Sequence, residues 1–116
     1  MNDKINMEEM ESGVILITLD FPTIGTVQGN AIKKMLNNLV AQKKVKVILN
    51  LVNVRNANSF GLSLFFRMKN LLKENMGDLA IININDHMEE LLKTAGLYDY
   101  FEIKDTKEKA VDYLMS

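Results

Sequence analysis

The amino-acid sequence predicts a single small α/β domain over residues 1–116, with a mixed, mostly parallel sheet of about four to five strands and about four helices. Segments with the pattern of strands alternate along the chain with segments whose apolar residues recur at helical spacing. Hydrophobic residues make up 47% of the chain, which is enough for a core. The one proline, Pro22, lies in no linker-like stretch, so a single domain is expected.

The first two predicted strands form a hairpin. Residues 4–10 have the pattern of a short edge strand, residues 14–19 that of a more apolar strand, and Ser12-Gly13 between them suits a turn. Residues 20–29 contain one proline and two glycines and are predicted to be mostly loop.

A helix and a buried strand follow. The helix is predicted from the spacing of Ile32, Met35, Leu36 and Leu39. Residues 45–51 are nearly all apolar, as expected of a strand that is covered on both faces.

The second helix is predicted to begin near Ser59. Its inner stripe consists of Gly61, Phe65, Met68 and Leu72. Gly61 lies on this stripe without a side chain, so we expect it to allow close approach of the helix to the sheet.

The C-terminal part repeats the alternation. Residues 79–84 form a predicted strand, and Asp86 is predicted to cap a third helix, with Glu89 three residues later in a capping-box-like position. Gly96 suits the end of that helix, and residues 100–103 form a last strand. A final helix is predicted from Asp105 or Thr106 to Leu114. The inner face of the third helix is expected to carry Met88, Leu91, Leu92 and Ala95.

Composition narrows the functional classes. The net charge of −1 offers no basic excess for nucleic acid, and the absence of cysteine excludes disulfides. The apolar runs are far shorter than the ~20 residues of a membrane span, and residues 1–4 precede no apolar leader. We therefore expect a cytoplasmic protein that neither binds nucleic acid nor inserts into a membrane.

Catalytic and cofactor motifs are not found in the sequence. The single histidine, His87, has no second histidine or cysteine with which to bind a metal, so a solvated or capping role is expected. Residues 25–30 lack the lysine and spacing of a phosphate-binding loop. Residues 58–61 do not form a G-x-S-x-G elbow. The expectation is a protein that is not an enzyme and needs no cofactor or metal.

The residues around Ser59 resemble a known family. A hydrophobic strand ends in Asn50-Leu51, a turn follows, and the next helix opens with Asn58-Ser59-Phe60-Gly61-Leu62. Gly77 precedes the next predicted strand, and the pair Gly96-Leu97 precedes the last one. This order is similar to the STAS domain of bacterial anti-sigma-factor antagonists, and the likeness runs from about residue 45 to the C-terminus.

The resemblance implies a function in partner switching. In that family the unphosphorylated domain binds an anti-sigma factor, which in many systems is also a serine kinase, and phosphorylation of the motif serine separates the two proteins until a phosphatase resets the switch. The matching phosphoacceptor here is Ser59. The expected partner-binding residues are Asn58, Ser59, Phe60, Ser63, Phe66 and Arg67.

The motif departs from the family pattern at two positions. Asn58 replaces the acid that precedes the serine, and Phe60 replaces a second serine or threonine. Residues 20–25 also lack the family's Gly-Glu-Leu-Asp run. These departures favour an alternative function, that of a STAS scaffold or transporter-associated subunit that is never phosphorylated.

Two structural alternatives stay open at this point. Ser59 is either a phosphoacceptor or a plain helix N-cap, since serine is common in both roles. Either Phe60 or Phe66 is exposed as a contact for a partner.

A hydrolase that uses Ser59 is a distant third function.

Overall fold

The fold is described for residues 4–116 from a computed structural model. The strands are β1 (Lys4–Glu9), β2 (Ile15–Asp20), β3 (Thr23–Ile24), β4 (Lys46–Asn50), β5 (Asn56–Ala57), β6 (Asp78–Ile82) and β7 (Glu102–Lys104). The helices are α1 (Thr26–Ala41), α2 (Ser59–Glu74), α3 (Asp86–Thr94) and α4 (Lys107–Met115), with a 3₁₀ turn at Tyr98–Tyr100. Residues 1–3, which the predicted domain includes, lie outside the described part.

Five strands form the main sheet in the order β1-β2-β4-β6-β7. β1 runs antiparallel to β2, and the other neighbours are parallel. The short strands β3 and β5 pair in parallel as a separate two-stranded sheet. The predicted fold class, a single small α/β domain with a mixed and mostly parallel sheet, is confirmed.

The core lies on both faces of the sheet. Ile17 and Leu49 belong to the larger cluster, which includes buried residues of α1, α2 and α3. Ile48 belongs to the smaller cluster, with Ala110 and Leu114 of α4. The central strand β4 is therefore covered on both faces, which explains its nearly continuous apolar sequence.

The prediction that residues 20–29 are mostly loop is wrong. Thr23 and Ile24 form β3, and α1 begins at Thr26. The Gly25 N–H donates a hydrogen bond to Gln28 Oε1 at 3.1 Å, which satisfies an amide at the start of the helix. Gly29 lies buried inside α1. This glycine marks a packing contact and not a turn.

Other boundaries differ by a few residues. Asn85 caps α3 instead of Asp86, because its side chain accepts a hydrogen bond from the Met88 N–H. Ala95 is exposed, since the helix has already ended at Thr94. The last strand, predicted at residues 100–103, is shifted to Glu102–Lys104 by the preceding 3₁₀ turn. Thr106, one of the two predicted starts of α4, is its N-cap.

The hairpin turn is also confirmed. Gly13 has a φ of +91°, which favours glycine, and its N–H donates to Met10 O at 2.9 Å. Within residues 4–116, every helix falls short of the length and apolar character needed to cross a membrane.

Candidate functional site

The start of α2 is held at the carboxyl end of the parallel strands. The Asn58 N–H donates to Ile24 O at 3.2 Å, which ties the helix start to β3. A Cβ built on Gly61 would lie 2.7 Å from the same carbonyl oxygen. Gly61 therefore permits the close approach that the sequence predicts, although the contact is with β3 and not with the main sheet.

Asn58 is the N-cap of α2. Its backbone is extended, and its Oδ1 accepts a hydrogen bond from the Gly61 N–H at 2.9 Å. An uncharged amide oxygen performs this role as well as the family's carboxylate does. The alternative in which Ser59 is a plain N-cap is wrong, because the residue before it already fills that position.

Ser59 is the first helical residue and is exposed. Among the described residues, its hydroxyl has no hydrogen-bond partner, and the backbone N–H groups of Ser59 and Phe60 have none either. Free amides and the positive end of the helix dipole both favour an anion at this point. A phosphoryl group on Ser59 would meet a favourable local field and displace no internal contact.

Phe60 and Phe66 have different surroundings. Phe60 is partly buried, and its ring lies so close to Gly29 of α1 that a Cβ there would come within 2.4 Å of Cε2. Phe66 is 38% exposed and packs its ring on Tyr100, with centroids 4.8 Å apart. Of the two aromatic residues, Phe66 is the exposed contact, and Phe60 joins α2 to α1.

The predicted partner-binding residues lie on two adjoining sides of α2. Ser59, Ser63 and Phe66 follow each other at helical spacing and share one face. Ser63 Oγ donates to Phe60 O at 3.0 Å, so this hydroxyl is partly engaged. Exposed Arg67 lies at the rim of a groove of about 320 Å³ between α1 and α2, opposite Lys33. Among the described residues, neither cation has an acidic partner within ion-pair distance.

Sequence reasoning missed a set of asparagines beside the helix start. Asn50 Nδ2 donates to Thr18 Oγ1 at 3.2 Å, and Asn83 Nδ2 donates to Asn50 Oδ1 at 2.9 Å. Asn85 Nδ2 donates to Val54 O at 3.0 Å. These bonds connect β2, β4 and the segment after β6 with one another and with the loop that leads to Ser59. The signal in the sequence was the asparagine at the end of β4 and those just after β6, Asn83 and Asn85.

His87 belongs to the same edge. It is exposed, and its Nε2 lies 3.3 Å from Asn56 Oδ1. Within residues 4–116, no group of three or more histidine or acidic side chains is placed to hold a metal ion. The surface around Ser59 includes the amide of Asn58, the ring of Phe66 and the cation Arg67.

A buried ion pair holds the other end of α2. Lys69 Nζ lies 2.9 Å from Asp78 Oδ1, and the two side chains are only 8% and 16% exposed. Asp78 also accepts a hydrogen bond from the Tyr113 hydroxyl of α4. Asp78 therefore joins the helices on the two faces of the sheet.

The pKa values of this cluster reflect its burial and its bonds. Desolvation alone raises the pKa of the Asp78 carboxyl, but hydrogen bonds from Tyr113, Lys69 and the Leu79 N–H, together with the Lys69 charge, outweigh it and lower the pKa. Desolvation and the bond to Asp78 raise the pKa of the Tyr113 hydroxyl. Asp78 therefore stays ionised, and Tyr113 stays protonated, at neutral pH.

A family comparison agrees with this geometry. The profile of the STAS domain matches residues 6–110. The chain belongs to the STAS domain family. No curated protein sequence gives a significant match.

Solved STAS structures share the fold. A candidate anti-sigma factor antagonist of Thermotoga maritima has a TM-score of 0.85 at 18% identity, over 97% of this chain and 95% of that one. The Bacillus cell-fate determinant SpoIIAA in its phosphorylated form has a TM-score of 0.72 at 19% identity, over 95% and 98%. A sulfate transporter family protein of Wolinella succinogenes has a TM-score of 0.69 at 14% identity, over 89% and 85%. At these identities the likeness concerns the fold.

Proposed function

We propose that this STAS protein is an anti-sigma-factor antagonist that acts by partner switching in the cytoplasm. In this proposal, the unphosphorylated protein binds an anti-sigma factor through the start and outer face of α2. Phosphorylation of Ser59, by a serine kinase that is the anti-sigma factor itself in many such systems, releases the complex, and a phosphatase restores it. ATP and magnesium belong to the kinase and not to this chain.

The state of the Ser59 hydroxyl is the observation that carries the proposal. It is exposed at the first residue of α2, and Asn58 performs the capping that would otherwise engage it. A kinase can therefore reach the hydroxyl without unfolding the helix. The same position tolerates the product, because a helix N-terminus stabilises an anion.

A phosphate at this position has enough charge to separate two proteins. It adds about −1.5 to −2 charges at pH 7, on a surface that otherwise carries the amide of Asn58, the ring of Phe66 and the cation Arg67. Changing a complex from almost fully bound to almost fully free requires a difference of about 5.5 kcal/mol. Burial of an unpaired dianion in an interface costs several kcal/mol, which is of this size.

A scaffold or transporter-associated STAS subunit is the second candidate function. It is favoured by Asn58, which has no negative charge, and by Phe60, which packs on Gly29 where the family has a hydroxyl. The fold likeness to a sulfate transporter family protein is compatible with it. In this alternative, Ser59 is never modified.

The experiment that separates the two functions is capture of the tagged protein from its native cells, followed by mass spectrometry. The antagonist function is supported if an anti-sigma factor is recovered and if a fraction of the peptide containing Ser59 carries phosphate. Recovery of a transporter or a signalling scaffold, with Ser59 unmodified under all growth conditions, would support the second function instead.

A further inference from the structure

Among residues 4–116, the strand β1 presents a free edge of the main sheet. It pairs with β2 on one side and is the terminal strand in the sheet order. Its six residues are exposed except Ile5, which is partly buried. Met7 leaves 55% of its surface in solvent, although it is apolar. A long exposed edge of this kind offers unpaired backbone groups to another strand.

The hairpin fixes which backbone groups point outward. The Met10 N–H donates to Val14 O at 2.9 Å, so the backbone of Met10 points toward β2. Bonded residues alternate in an antiparallel pair, so Lys4, Asn6 and Glu8 also point toward β2. The N–H and C=O groups of Ile5, Met7 and Glu9 therefore lie along the free edge.

The side chains on this edge are complementary to themselves. If a second β1 is laid antiparallel so that Asn6 opposes Asn6, then Lys4 opposes Glu8 and Ile5 opposes Met7. Ile5 of one copy and Met7 of the other then exchange backbone hydrogen bonds. This agrees with the position of their N–H and C=O groups along the free edge. On either side of the Asn6–Asn6 pair, the opposed residues within positions 4–8 are of opposite charge or both apolar, which are favourable cross-strand combinations.

The neighbouring register fits less well. A shift that places Met7 opposite Met7 would set Ile5 against Glu9 and Asn6 against Glu8. Glu9 is already paired with Lys44 of the same chain, with 2.9 Å between Nζ and Oε1. In the register centred on Asn6, Ile5 does not lie opposite Glu9, so the ion pair of Glu9 with Lys44 has no apolar residue across from it.

We propose that β1 is a self-association edge, at which two copies of this chain pair antiparallel about a two-fold axis at Asn6. The sheet then continues from one copy into the other. Ile5 and Met7 of both copies lie on the face of the larger core, since they oppose Leu19 and Ile17 in β2. The contact is small, so the dimer is weak and reversible. Asn58, Ser59 and Phe66 are not part of the paired strand.

The opposite charges of Lys4 and Glu8 provide the first test. The dimer Kd is measured by sedimentation velocity over a series of concentrations. The series extends to about 0.5 mM, because small interfaces associate weakly. Lys4→Glu and Glu8→Lys each turn two attractive pairs into repulsive ones, so each should raise the dimer Kd about tenfold or more. The double variant should restore the dimer. Glu11→Lys makes the same charge change in the exposed hairpin turn and should leave the Kd unchanged.

The register provides the second test, because the chain has no cysteine. Opposed residues of a non-hydrogen-bonded pair have Cα atoms about 4.5 Å apart, within disulfide range. Asn6→Cys should therefore oxidise readily to a covalent dimer, whereas Met7→Cys, which opposes Ile5, should not. A monomer at every concentration, a dimer unaffected by the charge swap, or equal cross-linking of the two cysteine variants would overturn the proposal.

Discussion

The side chain of Asn58 accepts a hydrogen bond from the Gly61 N–H at 2.9 Å, so the helix is capped by the residue before Ser59. This contact separates two roles that a serine at a helix start commonly combines. Asn58 stabilises the helix, and the Ser59 hydroxyl stays available for modification.

Removing the side chain of Asn58 should lower the free energy of unfolding, whereas removing that of Ser59 should have little effect. Asn58→Ala should lower the free energy of unfolding by about 1 kcal/mol, because it removes the acceptor for the Gly61 N–H. Ser59→Ala should change it by less than about 0.5 kcal/mol, as an exposed substitution without a lost contact. Urea unfolding measures both. Asn58→Asp is the matched control that keeps an acceptor, and an equal loss for Asn58→Ala and Ser59→Ala would contradict the assignment.

Gly29 and Phe60 should be energetically coupled. Gly29→Ala should destabilise the protein, because the added Cβ would lie 2.4 Å from the Phe60 ring. In a Phe60→Ser background the same change should instead stabilise it by up to about 1 kcal/mol, since alanine is the better helix former. A double-mutant cycle of unfolding free energies measures the coupling, and additive effects would show that the contact is not formed.

Asp78 should make folding stability sensitive to acid. Its pKa in the folded state is lowered, so its contribution is complete above the ordinary aspartate value of about 3.9 and is lost as the pH falls through the folded-state value. Asp78→Asn should be less stable than wild type at pH 7, and the difference should shrink below about pH 4.

The matched control for this pH series is Asp105→Asn. The side chain of Asp105 is 89% exposed, so Asp105→Asn should change the free energy of unfolding at pH 7 by less than about 0.5 kcal/mol. A constant difference between wild type and Asp78→Asn from pH 7 to about pH 3 would contradict the buried ion pair.

The exposed face of α2 should contribute to partner binding through Phe66. Phe66→Ala should weaken binding of the captured partner by about 1–2 kcal/mol, as expected of an aromatic contact residue. Lys34→Ala, on the exposed face of α1, is the control and should have no effect. Isothermal titration calorimetry measures both, and unchanged affinity for Phe66→Ala would exclude this face from the interface.

The sequence predicts the elements better than the contacts between them. The alternation of strands and helices is visible because burial on one face produces periodic apolar residues, and burial on both faces produces a continuous apolar run. The start of α1 was missed, because Gly25 and Gly29 are typical of turns. The packing of Gly29 against the ring of Phe60, about thirty residues away, is not visible in the sequence. The cap of α3 was assigned one residue too late, and the role of Ser59 as the cap of α2 was left open, since asparagine, serine and aspartate all suit the position and only the hydrogen bond distinguishes them. The asparagine network depends on which strands are neighbours, which is a property of the tertiary structure.

The most direct test of the switch is to compare partner affinity with stability for two variants of Ser59. Ser59→Asp places a carboxylate at the helix start, where it should stabilise the protein by about 0.3–1 kcal/mol. We predict that it nevertheless weakens binding of the captured anti-sigma factor at least about a hundredfold, or roughly 2.7 kcal/mol, while Ser59→Ala binds like wild type and resists the kinase. Equal affinity of the two variants, or affinities that merely follow their stabilities, would contradict the proposal that Ser59 controls partner binding.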